Sequence, residues 1–140
     1  MTRFVVDAGV VLHLATEERP VASGHKLLAP TLVRSQTLAL LYEAVRRGEL
    51  PREVGRERMR RVGHLKMRLL GDAVLRRKAW DVAEQLGWGS TADAEYVALT
   101  QLQADAFVTL DAKLRKAVAD LVDTAPYEAL FSKGKAKRTR

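Results

Sequence analysis

Apolar residues fall along this chain in two patterns. Phe4-Val5-Val6 and the "AFVTL" run from Ala106 are short and unbroken, rich in β-branched and aromatic residues, as in strands buried on both faces. Elsewhere they recur at helical spacing. Val10, Val11, Leu12 and Leu14 suit a helix packed on the first strand. Pro20 to Leu28 reads as a second helix, and "LLAP" as a short strand closing at Pro30. "TLVRSQTLALLYEAVRRG" is a strong helix, with Thr31 as N-cap and Gly48 after the basic last turn. "PREVGRERMRRVGHL" is a further helix, basic and less apolar. "GDAVLRRKAWDVAEQLG" runs from Asp72 to Gly87, with Val74, Ala79, Trp80, Ala83 and Leu86 as its inner face. "TADAEYVALTQLQA", capped by Ser90 or Thr91, precedes the "AFVTL" strand; "DAKLRKAVA" follows it, and "LVDTA" offers a last strand.

Short buried strands alternating with helices predict an α/β domain: a short central parallel sheet with helices on both faces. In such sheets ligands bind beyond the carboxyl ends of the strands. Two strands here end on an acid that enters a helix, "FVVD" at Asp7 and "FVTLD" at Asp111. Taken alone, Asp7 is explained as a helix N-cap. If the two strands are neighbours, both carboxylates reach one rim. A third acid, Asp93, lies in the first turn of its helix, where it either serves the helix dipole or points inward to the same rim.

Composition narrows the class. With 140 residues, 47% hydrophobic and 29% charged, the chain is expected to form one globular domain over residues 1–131, followed by a basic, disordered tail at 132–140. The absence of cysteine rules out disulfides and thiolate metal sites. No apolar run reaches the roughly 20 residues of a membrane helix, and no signal-peptide pattern is seen, so a cytoplasmic location is expected. The net charge of +7 is concentrated in one place. Pro51 to Lys78 holds ten basic residues and three acids, while the rest of the chain holds fourteen of each sign. Such a basic face attracts phosphate backbones, or is simply a solvated helical surface.

Three carboxylates brought together raise one another's pKa unless a cation holds them. Oxygen ligands without cysteine select Mg²⁺ or Mn²⁺ over zinc, and such a site suits phosphodiester hydrolysis. His13, His25 and His64 lack ligand spacing and read as packed or surface residues. Trp80 and Trp88 read as core and loop anchors, Tyr96 as core, and Glu95 as solvent-facing.

Through "VVDAGVVL", "LLAPTLVRSQTLALLYEAVRRGEL", "STADAEYVALTQLQA" and "FVTLDAKLRKA", the chain resembles PIN domains, specifically the VapC toxins of bacterial toxin–antitoxin pairs. The resemblance covers about Arg3 to Ala125. It implies a PIN-like fold and a Mg²⁺- or Mn²⁺-dependent endoribonuclease, dimeric and held inactive by a small VapB-like antitoxin. It gives Asp7, Asp93 and Asp111 to three of the family's acids and metal ligands, with Thr109 as companion hydroxyl. The family's remaining acid is a glutamate six residues after the proline that opens the long helix. Here that position is Gln36, which keeps an oxygen but loses the charge and cannot act as a base. Glu43 is the alternative fourth acid, about 20° off the Gln36 direction and roughly 10 Å further along the helix; a plain ion pair with Arg46 or Arg47 explains it equally. Arg52, Arg56, Arg60 and Arg61 are the candidate RNA-binding residues.

Two other classes compete. The Gln36 departure allows a PIN-fold protein that binds RNA or an antitoxin without cutting. A phosphotransfer domain with Asp7 as phosphoacceptor lacks the D-x-D and the well-placed lysine after "FVTLD". RNA and DNA substrates differ by contacts to the 2′-hydroxyl, which no pattern here reveals.

Overall fold

β1 (Arg3–Val6) is the strand around which the fold is built: Phe4, Val5 and Val6 are all 0% exposed. The computed structural model describes residues 1–133, so most of the expected tail lies outside the described residues. After β1 come α1 (Ala8–Glu17), β2 (Lys26–Pro30), α2 (Leu32–Arg46) and α3 (Arg52–His64). β3 (Arg68–Leu70), α4 (Ala73–Leu86), α5 (Ala92–Gln103), β4 (Ala106–Val108) and α6 (Ala112–Val118) follow. A 3₁₀ turn, Tyr127–Phe131, comes next.

The four strands form one parallel sheet in the order β3-β2-β1-β4, flanked by the six helices. Parallel neighbours need long crossovers, and here helices supply them. From β1 the chain moves outward through β2 to β3, then returns to the other side of β1 as β4. The carboxyl ends of β1 and β4 therefore flank a topological switch point, where open α/β sheets bind ligands. The register Val6↔Val108 sets Asp7 and Thr109 side by side just past the strand ends.

Three local expectations differ from what forms, and one strand was not expected. Pro20 to Leu28 is not a helix: residues 18–25 are a loop, and β2 begins at Lys26. Glu18 (φ 54°) and Gly24 (φ 91°) take the left-handed conformation there, while Leu27, Leu28 and Ala29 are buried in the sheet. β3 has no counterpart in the apolar pattern, being three residues on the sheet edge. "LVDTA" contributes one parallel bridge, Phe107↔Thr124, rather than a strand.

The third differing expectation is on α4, which buries Leu75, Ala79, Val82 and Ala83. Val74 and Trp80 face out, Trp80 63% exposed. A stripe with alanines at its centre allows α4 to lie close on α5. Its caps match the sequence: Asp72 accepts from Leu75 N at 2.9 Å, and Gly87 closes the helix at φ 68°.

Candidate active-site cleft

A cleft of about 310 Å³ opens at the switch point. Asp7, Asp93 and Asp111 line it together with Gln36 and Tyr96. Apolar walls come from Ala8, Ala39, Leu40 and Leu114.

Asp7 is both an N-cap and a cleft residue. One carboxylate oxygen, Oδ1, accepts from Val10 N at 3.1 Å, as in a capped helix. The other, Oδ2, accepts from the buried Thr109 hydroxyl. Burial pushes the Asp7 carboxyl above its ordinary value. The Thr109 and Val10 hydrogen bonds oppose that shift, and Asp93 and Asp111 add to it by repulsion.

Thr109 binds both flanking acids: its oxygen also accepts from Asp111 N at 3.1 Å. Asp111 in turn caps α6, accepting from Lys113 N at 3.0 Å and Leu114 N at 3.1 Å. Arg115, one turn further on, donates to the Thr109 carbonyl at 3.0 Å and braces the same corner. Asp93 approaches from the first turn of α5, and its carboxyl is also raised, first by desolvation and then by Asp111.

Tyr96 is 1% exposed, as expected of a core residue, but its hydroxyl reaches the cleft and donates to Gln36 Oε1. Burial, followed by Asp7, Glu95 and Asp93, drives its pKa upward, so it stays a protonated donor. Glu95 is half-buried rather than solvent-facing, and desolvation raises its carboxyl against the pull of Arg76. Two features were missed in the sequence: the Tyr96–Gln36 link and the Arg115 brace. Tyr96 follows Asp93 by three residues, and Arg115 follows Asp111 by four, so each had a helical-spacing signal.

Glu43 is not brought to the cleft. It stands exposed on α2, 3.9 Å from Arg47 Nη1. Two further turns of helix carry it past the rim that Gln36 occupies. The four arginines also separate. Arg52 and Arg56 are exposed on α3 and rim a groove of about 480 Å³ against α2, floored by Leu38, Leu41, Tyr42, Val45 and Met59. Arg60 pairs with Glu57. Arg61 is half-buried, 3.2 Å from Glu18 and 3.4 Å from Glu57, and donates to the Ala15 carbonyl at 3.2 Å, tying α3 to α1. His13 pairs with Glu17 at 2.8 Å and His25 contacts the Ser132 carbonyl at 2.6 Å. None of the three histidines lines the cleft. Trp88 packs partly buried against the core.

The groups able to hold a divalent ion are the carboxylates of Asp7, Asp93 and Asp111. Among the described residues, however, no three His, Asp or Glu side chains are already gathered as a ready ion cage.

Comparison with solved structures supplies the class of the fold. The structure of PAE2754 from Pyrobaculum aerophilum is similar at TM-score 0.70 and 21% identity, covering 92% of each chain. VapBC2 from Rickettsia felis, solved bound to a DNA fragment from their promoter, is similar at TM-score 0.64 and 10% identity, covering 89% of this chain and 98% of that one. The chain thus has a PIN/VapC-like fold. No family model and no curated protein matches the sequence. No helix among the described residues is long and apolar enough to cross a membrane.

Proposed function

We propose that this protein is a Mg²⁺- or Mn²⁺-dependent endoribonuclease acting as the toxin of a VapBC-like pair. The observation that carries this reading is that Asp7, Asp93 and Asp111 line one cleft at the switch point of a PIN/VapC-like fold. Asp7 and Asp93 are both raised by burial and by neighbouring acids, an arrangement that a cation relieves. The ion would be held by Asp7 and Asp93, with Asp111 completing the shell directly or through water. When bound, it supplies a more acidic water and stabilises charge on the phosphoryl and leaving oxygens.

The chain's own residues do the positioning. The Val10 amide and Thr109 hydroxyl fix both oxygens of Asp7, so the carboxylate is oriented before substrate arrives. Asp111 is held by its helix and by Thr109. The proposed partners are an RNA strand, a second copy of the chain and a small antitoxin. Cleavage of RNA in Mn²⁺ should vanish with EDTA. Asp7→Asn and Asp93→Asn should each lower it by about a hundredfold or more, the size of effect that loss of a metal-holding or electrostatic group produces. Folded protein that cuts no RNA in saturating Mn²⁺ would overturn the enzymatic reading.

A second reading, binding without cutting, is favoured by Gln36 where the family's pattern has an acid. It predicts strongly salt-dependent RNA binding that is indifferent to Mn²⁺.

A further inference from the structure

Gln36 was expected to offer the cleft an oxygen. The structure commits that oxygen elsewhere. The Tyr96 ring is seated in the core on α5, tilted against Phe107 at 6.3 Å between centroids. Its hydroxyl carries one proton, and that proton is donated to Gln36 Oε1. The amide is thereby turned so that Nε2, with two N–H groups, is what it can present to a ligand. Among the described residues Nε2 makes no hydrogen bond to protein.

The chemistry of the lining then decides what such a donor is for. Apart from the Tyr96 hydroxyl, already used, Gln36 carries the only side-chain N–H or O–H donor among the described residues that line the cleft. The remaining polar side chains there are carboxylates, which repel a phosphate. A glutamate at position 36 would add a further acceptor beside them. The amide does the reverse: it offers an anionic oxygen a partner at the edge of an acidic site.

We propose that Gln36 is a substrate-binding residue whose Nε2 donates to a non-bridging oxygen of the phosphodiester, and that Tyr96 is the positioning residue that aims it. The inference rests on the phosphodiester reading above and assigns the anion-binding half of that site. It makes the cleft less dependent on a cation for gripping the phosphate than a four-acid site would be.

The test uses the full chain and an RNA octamer in EDTA, so that nothing is cut. The Gln36 side-chain amide signals in ¹H–¹⁵N spectra should shift as RNA is added. Gln36→Met keeps the length and removes the donor, and should weaken octamer binding about tenfold, as for a lost hydrogen bond to a charged group. Gln36→Glu should weaken it at least as much while tightening Mn²⁺ binding in calorimetry. Tyr96→Phe should weaken RNA binding by a smaller factor, because the amide is present but no longer aimed. Unmoved Gln36 signals, together with Gln36→Met binding within about twofold of the parent, would overturn the proposal. Should Gln36→Met fail to fold, the spectrum of the unmutated chain decides alone. Absence of octamer binding by the unmutated chain also overturns it. RNA cleavage in Mn²⁺ then separates the two failures: cleavage leaves the nuclease reading standing, and no cleavage removes both.

Discussion

Asp7 does two jobs with one carboxylate. It caps α1 and it faces the cleft, and the second job works against stability. Burial raises its pKa above the ordinary 3.8, so the native state holds this proton more tightly than the unfolded chain. Its contribution to stability is therefore greatest below pH 3.8 and is lost as pH rises through the raised native value. At neutral pH the folded protein bears the full penalty of an ionised, partly buried acid. Asp7→Asn keeps a capping side chain and removes that penalty. It should raise the metal-free thermal midpoint at pH 7, with the gain shrinking toward pH 4 and below. Melting curves at several pH values check this, and a midpoint lowered at pH 7 would show that the Thr109 and Val10 bonds to the charged form outweigh burial.

The pairing of α2 with α3 shows how one residue can set the spacing of two helices. A Cβ on Gly55 would lie 2.6 Å from Val45 Cγ2. Val45 is β-branched and holds few alternative rotamers, so it yields poorly. Gly55→Ala gains about 1 kcal/mol of helix propensity and loses about 1–3 kcal/mol to overpacking. The net expectation is a loss of about 1 kcal/mol, or roughly 2–4 °C in the melting midpoint. A variant more stable than the parent would show that α3 simply slides outward. On the other side, Arg61 ties the same helix to α1 through the Ala15 carbonyl and Glu18. α3 thus spends part of its positive charge on internal braces, leaving Arg52 and Arg56 outward along the α2 groove.

The whole molecule concentrates conflict at one place. Strand order β3-β2-β1-β4 brings two strand-terminal acids to the switch point, and α5 adds the third. An ion that binds only the folded cleft must then stabilise the entire domain by linkage, by about 2.7 kcal/mol at a hundredfold excess over its Kd. For a chain of this length that is roughly 5–10 °C in the melting midpoint. Mn²⁺ should produce such a rise in the parent, and Asp7→Asn should remove most of it. No rise at any Mn²⁺ concentration would argue that the carboxylates never share an ion.

Much of this was written in the chain's local pattern. The alternation of short buried runs with amphipathic stretches specified an α/β protein with a parallel sheet. Strand-ending acids specified Asp7 and Asp111 at the entries to helices, because capping is a local matter; the pairing of β1 with β4 that brings both to one rim joins segments about a hundred residues apart. Tertiary packing decided the rest. It left residues 18–25 as a loop where a helix was expected, ahead of the "LLAP" strand that formed as read, and it chose the alanine stripe of α4 over Trp80. On α2 it took Gln36 into the cleft and left Glu43 outside, although both lie on one helical face. It also joined Tyr96 to Gln36 across sixty residues of sequence. Helical periodicity determines which residues share a face; only packing against the sheet determines how far along that face the cleft extends.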